Sequence, residues 1–260
     1  MAYSLENHRI LLTRPYQAAL KDKLLIEKRN GHAVIIPMIE TQSYKSECEE
    51  AILTRIHQYS WIVFTSRNAV SFTLAVLEKN NLLGVLKTIQ IAAIGKRTAD
   101  FLESRGYPVS FYPESFRAAD FVKEFPFDRI MGERVLFPQG NLARNIIMNT
   151  FEQHGISCDK WVLYKTVKAD QSKALLKALA ADSFEIITFA SPSAVLNFVE
   201  ILQSSEDLYQ LVMNEKWTIA SIGPTTTEEL KKNKLPVHIE PAAYTMAALI
   251  DEIACYYTQH

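Results

Sequence analysis

WIVFTSRNAV, residues 61–70, reads as an apolar strand that runs through Thr65-Ser66 into a helix, and IITFASPSAV, residues 186–195, repeats that reading at an offset of 125 residues. The same offset brings RILLTRP (9–15) onto RVLFPQG (134–140) and PMIET (37–41) onto VLYKT (162–166). At an offset of 128, IAAIGKRT (91–98) meets IASIGPTT (219–226), and YPESFRAADFV (112–122) meets EPAAYTMAALI (240–250). A constant order of matched segments, separated by one small change of offset, is the signature of two copies of one supersecondary unit.

Within each copy, short apolar runs alternate with helical patterns. The strand candidates are Ile10–Leu12, Val34–Ile36, Trp61–Phe64, Ile91–Ile94 and Val109–Phe111 in the first half. Val135–Phe137, Ile156–Tyr164, Ile186–Phe189, Ile219–Ile222 and Val237–Ile239 follow in the second. These runs are apolar throughout rather than alternating, as strands covered on both faces are. The helix candidates are Tyr16–Asn30, Ser46–Tyr59, Arg67–Asn80, Lys96–Arg105, Ala118–Phe125, Leu142–His154, Gln171–Ala181, Ser193–Gln203, Thr225–Asn233 and Thr245–Tyr257. Asn30-Gly31, Gly106 and Gly155 suit helix C-termini. Strands alternating with helices imply parallel sheets with crossover helices, so the expected fold is α/β with two parallel-sheet lobes.

Ligands of open α/β sheets lie beyond the carboxyl ends of the strands. Those ends fall at Thr13-Arg14, Thr65-Ser66, Gly95, Pro138-Gln139-Gly140, Ala190-Ser191 and Gly223. Nearly all carry Gly, Ser or Thr and lead into a helix whose first amides lack an internal partner. Such termini bind anions with few Lys or Arg. The chain has 260 residues, 28 basic and 29 acidic, for a net charge of −1, which argues against a broad nucleic-acid surface. Ser and Thr are also the preferred helix N-caps, so each position taken singly has a structural reading as well.

The other motifs a chain of this size would show are missing. There is no GxGxxG, no GxxxxGK[ST] and no GxSxG. Cys48, Cys158 and Cys255 form no CxxC pair, and the six histidines have no metal-ligand spacing. No apolar stretch approaches the roughly 20 residues that span a bilayer, and the short N-terminal apolar run meets Arg14-Pro15, unlike a secretory leader.

ILLTRP, FTSRNAV, IAAIGKRTADFLESRGY, VLYKTV, FASPSAV and SIGPTTTEELKK, in this order from about Arg9 to Ile253, resemble the uroporphyrinogen-III synthase family. The resemblance implies two flavodoxin-like lobes, residues 1–38 with 168–260 and residues 42–163, joined by linker strands near 38–41 and 163–167 and meeting in a cleft. It implies hydroxymethylbilane, a linear tetrapyrrole with eight carboxylates, as the substrate of a cyclising hydro-lyase that needs no metal or organic cofactor. The substrate loses its hydroxyl as water, the azafulvene is attacked by the substituted carbon of the last ring, and a spiro intermediate fragments and recloses with that ring inverted. Binding that favours the unfavoured carbon can contribute several kcal/mol of discrimination. A cytosolic monomer in transient contact with hydroxymethylbilane synthase, without nucleic acid or membrane, completes the expectation.

Tyr164 in VLYKTV matches the tyrosine discussed in this family as proton donor to the leaving hydroxyl; its structural reading is a half-buried linker-strand tyrosine. Thr13, Arg14, Ser66, Arg67, Asn68, Gly95, Gly140, Asn141, Arg144, Ser191, Ser193, Gly223, Thr225 and Thr226 are the expected substrate-binding positions, with Asn68 and Asn141 placed in first helical turns. Three other classes are open to such a chain. A non-catalytic tetrapyrrole- or anion-binding protein would use the same helix termini. A pair of phosphoacceptor modules would need acidic clusters at the strand ends, where this sequence has Ser, Thr and Gly. A two-lobed glycosyltransferase would carry a nucleotide-sugar signature.

Overall fold

The computed structural model describes residues 4–113, 118–143 and 145–259. Its strands are β1 (Arg9–Leu12), β2 (His32–Ile35), β3 (Ile39–Ser43), β4 (Trp61–Phe64), β5 (Gln90–Ala93), β6 (Arg134–Gly140), β7 (Ser157–Lys168), β8 (Ile186–Phe189) and β9 (Thr218–Ser221). The helices are α1 (Tyr16–Glu27), α2 (Glu49–Thr54), α3 (Arg67–Lys79), α4 (Lys96–Glu103), α5 (Ala118–Glu124), α6 (Ile146–Gln153), α7 (Ser172–Ala180), α8 (Pro192–Leu202), α9 (Glu206–Met213), α10 (Pro224–Lys232) and α11 (Met246–Gln259). The chain divides into two compact units, Met1–Glu40 with Val167–His260, and Thr41–Thr166.

The sheet of the first unit has the order β2-β1-β8-β9, all parallel. Ile239 adds a single parallel bridge to Ala220 beyond β9. The sheet of the second unit has the order β3-β7-β6-β4-β5, with parallel pairing from β7 to β5 and a bridge from Ala92 to Phe111. The expected strands Val109–Phe111 and Val237–Ile239 are thus reduced to one bridge each. The segments matched in sequence take the same rank in the two sheets: β1 and β6 sit beside β8 and β4, which sit beside β9 and β5.

Alternation along each strand divides its side chains between two cores. Leu11, Ile187, Phe189 and Ile219 join the cluster on one face of the first sheet, while Ile10, Leu12, Ile186 and Ala220 join the cluster on the other. In the second sheet Ile62, Phe64, Leu136, Trp161 and Leu163 face one way, and Val63, Val135 and Phe137 the other. Both faces are dry, which is why the strands read as unbroken apolar runs.

Several elements differ from the sequence reading. β6 continues to Gly140, so Pro138-Gln139-Gly140 belong to the strand rather than to a turn. Pro138 is tolerated because pairing with β4 ends at Leu136 and leaves no ladder bond for the missing amide to make. Helix α6 starts at Ile146, so Asn141 lies outside it. The expected helix Ser46–Tyr59 is α2 followed by a 3-10 turn at Ile56–Gln58, and α9 was not anticipated.

At the end of α1, Asn30 rather than Gly31 takes the left-handed conformation, with φ of 62°. Gly31 is required by space: a Cβ there would stand 2.9 Å from Ile26 Cγ2 and from Leu5 Cβ and Cδ1. Gly31→Ala is expected to destabilise the protein by about 1–3 kcal/mol, read as a lower urea midpoint. Gly84→Ala, where a Cβ meets nothing within 4 Å, should leave the midpoint at or slightly above that of the unaltered chain.

Candidate functional site

The second unit brings Tyr164, Ser66, Gly140 and Asn141 together at the carboxyl ends of its strands. The arrangement depends on an irregularity in a parallel ladder. Gln139 on β6 pairs with Val162 on β7, but the next residue, Gly140, pairs with Tyr164, so Leu163 is the extra residue of a bulge. With unbroken register Gly140 would face Leu163. Bulges re-aim side chains and are frequent beside active sites.

The Tyr164 ring occupies the space a side chain at Gly140 would need: a Cβ there would fall 2.4 Å from Cε2 and 2.7 Å from Cζ of the tyrosine. The Phe72 ring on α3 stacks on the same tyrosine, with centroids 4.9 Å apart and planes inclined by 20°. The Tyr164 hydroxyl lies 3.1 Å from Ser66 Oγ. Ser66 is the N-cap of α3, in an extended conformation, and its oxygen accepts the Ala69 amide at 3.1 Å. Asn141 closes the turn after β6: its amide donates to Tyr164 O and its Oδ1 accepts the Thr166 amide, at 3.1 and 2.9 Å. Asn141 is therefore a turn residue holding β7, not a first-turn helix residue.

Arg67 and Asn68, the first two residues of α3, are exposed. Gly95 is the N-cap of α4 and offers no side-chain cap; Lys96 and Arg97 follow it, both exposed. These two basic residues were not singled out in the sequence, although the run Gly95-Lys96-Arg97 displays them directly after a strand. Lys96 makes an exposed ion pair with Asp100 at 3.1 Å.

The first unit carries a second set. Ser191 caps α8 as Ser66 caps α3, accepting the Ala194 amide at 3.3 Å, and Ser193 lies in the first turn, half-buried. Gly223 is the N-cap of α10, with Thr225 exposed and Thr226 buried after it. The ring of Tyr244, itself 60% exposed, packs on Gly223: a Cβ there would stand 2.8 Å from Tyr244 Cδ1. Phe72 and Tyr244 escaped the sequence reading because only the chain's course brings them to those glycines. Pro192 and Pro224 occupy the first helical position of α8 and α10, which leaves those two termini one free amide fewer than α3 and α4.

Two expected positions have other duties. Thr13 is fully buried and its hydroxyl donates to Thr188 O at 2.7 Å, while Thr188 Oγ1 donates to Leu11 O at 2.8 Å. The Thr13 hydroxyl proton is thereby committed to tying β1 to β8. Arg14 pairs with Asp22 at 2.7 Å on α1. Burial pushes the Asp22 carboxyl upward, and the Arg14 charge opposes that shift. Arg144 lies outside the described residues.

Electrostatically, α3, α4, α8 and α10 all lack an acidic residue in the first turn, whereas α2 and α9 have Glu49 with Glu50 and Glu206 with Asp207. An Asp or Glu at that place would stabilise a helix by roughly 0.3–1 kcal/mol. Its absence leaves the positive helix ends available to anions from outside. A separate recess of about 360 Å³, lined by Tyr44, Lys45, Glu49, Leu53, Val76 and Lys79 among others, contains none of the expected residues.

The family model described as uroporphyrinogen-III synthase HemD matches residues 19–251. The chain belongs to the uroporphyrinogen-III synthase family. It is 26% identical over 249 residues to the uroporphyrinogen-III synthase of Chlorobaculum parvum, covering 94% of this chain and 97% of that one. Its identity to the uroporphyrinogen-III synthase of Synechococcus elongatus is 28%, over 85% and 84% of the two chains. The crystal structure of uroporphyrinogen-III synthetase from Helicobacter pylori shares the fold with a TM-score of 0.65 at 18% identity, over 98% of this chain and 100% of that one. Family membership covers both sets of strand ends described above.

Gly140→Ala is expected to push the Tyr164 ring off its stack with Phe72 and away from Ser66, at a cost of about 1–3 kcal/mol. Urea unfolding measures the cost, and the near-ultraviolet circular dichroism of the folded variant reports the displaced ring.

Proposed function

We propose that this chain closes hydroxymethylbilane into uroporphyrinogen III, as a cyclising hydro-lyase, with Tyr164 as the acid that protonates the departing hydroxyl. The observation that carries the reading is the bulge in β7, which trades an apolar leucine for a tyrosine at Gly140 and holds its hydroxyl at the N-terminus of α3. A phenol is a proton donor at neutral pH, and general acid catalysis contributes typically 10²–10⁴-fold.

The substrate's carboxylates are taken by free amides at the starts of α3 and α4, where Arg67, Lys96 and Arg97 add charge. The starts of α8 and α10, with Ser193 and Thr225, offer the same kind of donor. Pyrrole nitrogens provide the electron push once the hydroxyl leaves, so the chain's own task is to hold the linear substrate and to supply one proton. Two copies of one α/β unit, as the equal sheet rank of the matched segments supports, account for the similar chemistry of the two sets. A cytosolic monomer receiving its substrate from hydroxymethylbilane synthase is the accompanying proposal and rests on the family.

The test is a coupled assay in which hydroxymethylbilane is generated by its synthase, the purified protein is added, and the oxidised uroporphyrin isomers are separated by chromatography. Isomer III is expected to dominate, and Tyr164→Phe is expected to lower its rate of formation by about tenfold or more. Isomer I alone, at the spontaneous rate and from folded protein, would replace this reading with that of a non-catalytic binder. Near-normal turnover by Tyr164→Phe would remove the tyrosine from the mechanism.

A further inference from the structure

Ser66 stands between two hydrogen-bonding groups, an amide and a phenol. Its Oγ accepts the Ala69 amide at 3.1 Å and lies 3.1 Å from the Tyr164 hydroxyl. A serine hydroxyl has one proton and two acceptor sites. An amide already occupies one acceptor site, and an oxygen polarised in this way becomes the better donor of its own proton. Either oxygen can donate across this contact; once the phenol proton is aimed at a substrate hydroxyl, the bond runs from Ser66 Oγ–H to the phenol oxygen. The ring is held by its stack on Phe72 and by its close approach to Gly140.

We propose that Ser66 is a positioning residue for Tyr164 rather than a carboxylate binder: by donating to the phenol oxygen it turns the phenol proton outward, toward the leaving hydroxyl. This inference rests on Tyr164 acting as the acid. In the step, the phenol O–H bond breaks and its proton passes to the substrate hydroxyl as the carbon–oxygen bond breaks. Water departs, and the phenolate keeps the Ser66 hydrogen bond. The proton returns to the phenolate when the terminal pyrrole carbon loses its hydrogen at final closure, so the cycle is proton-neutral.

The test is a double-mutant cycle between Ser66 and Tyr164. Ser66→Gly removes the hydroxyl while keeping a favourable N-cap residue, and Ser66→Thr keeps both. Ser66→Ala serves as the second hydroxyl-free variant, and urea midpoints establish that each is folded. Ser66→Gly is expected to lower kcat for isomer III about tenfold with KM nearly unchanged. Ser66→Thr should restore it, and Ser66→Gly should cost nothing further in a Tyr164→Phe background. A raised KM with kcat preserved would overturn the proposal and make Ser66 a substrate contact. An equal loss in the Tyr164→Phe background would also overturn it, while leaving the acid in place. If Tyr164→Phe alone is without effect, the acid reading fails and this inference fails with it.

Discussion

Asn197 is buried in α8, and its side-chain amide donates to two backbone carbonyls, Met38 O and Ala169 O. These carbonyls mark where the chain leaves the first unit and where it returns, and the Ala169 amide donates to Met38 O between them. Because the first unit is made of two separate segments, its closure depends on this junction. Each carbonyl also accepts a backbone amide, from Ala169 and Gln171, so the asparagine adds a second donor to both and ties α8 to the exit of β7. The second unit fixes the same strand from its side through Asn141, which holds Tyr164 O and the Thr166 amide. The strand that carries Tyr164 is thus anchored by one asparagine at Tyr164 and Thr166 and by another at Ala169, and the bulge at Leu163, just before those anchors, decides which side chain meets Gly140.

The positive ends of the strand-end helices are built first from backbone, and at α8 and α10 without a basic side chain in the first turn. This reconciles a net charge of −1 with the polyanionic substrate proposed here. Free amides at a helix start are held by the rest of the helix and need no reorganisation when a carboxylate arrives. Long basic side chains would have to be ordered first, at an entropic cost of up to about 2 kcal/mol each. The starts of α3 and α4 carry basic residues besides their free amides, and the starts of α8 and α10 each have a proline in place of one amide.

Much of the strand layout was legible because parallel strands buried on both faces leave unbroken apolar runs. Trp61–Phe64 and Ile186–Phe189 have the bounds their hydrophobicity dictates. What failed depended on contacts distant in sequence. Pro138 looked like a strand end, but β6 runs past it, paired with β7 after its pairing with β4 has ended at Leu136. Helix α9 went unread because its apolar residues pack on a core assembled from α7 and α8, which the local sequence does not reveal. The division of roles between Asn30 and Gly31 was not legible because steric clearance against Leu5 is a tertiary fact. At the site, the serine caps were visible as strand–Ser–helix junctions. The bulge, the Phe72 stack and the commitment of Thr13 to Thr188 were not, since each is a relation between strands or helices that only the sheet order creates.

For the proposed reaction, modest energies suffice if they are rigidly placed. A hundredfold preference for one attacking carbon over another corresponds to about 2.7 kcal/mol, comparable to two or three net hydrogen bonds. The same bonds in a yielding scaffold would follow the substrate into either transition state and discriminate nothing. Rigidity beneath the strand ends is therefore the relevant property. In the first unit Thr13 and Thr188 supply it by locking β1 to β8 immediately before α1 and α8 begin. In the second, Phe72, Gly140 and Ser66 hold a single tyrosine from three directions. The Thr13 hydroxyl goes into a strand-to-strand bond and Gly140 forgoes a side chain, and both fix the backbone that presents the remaining donors.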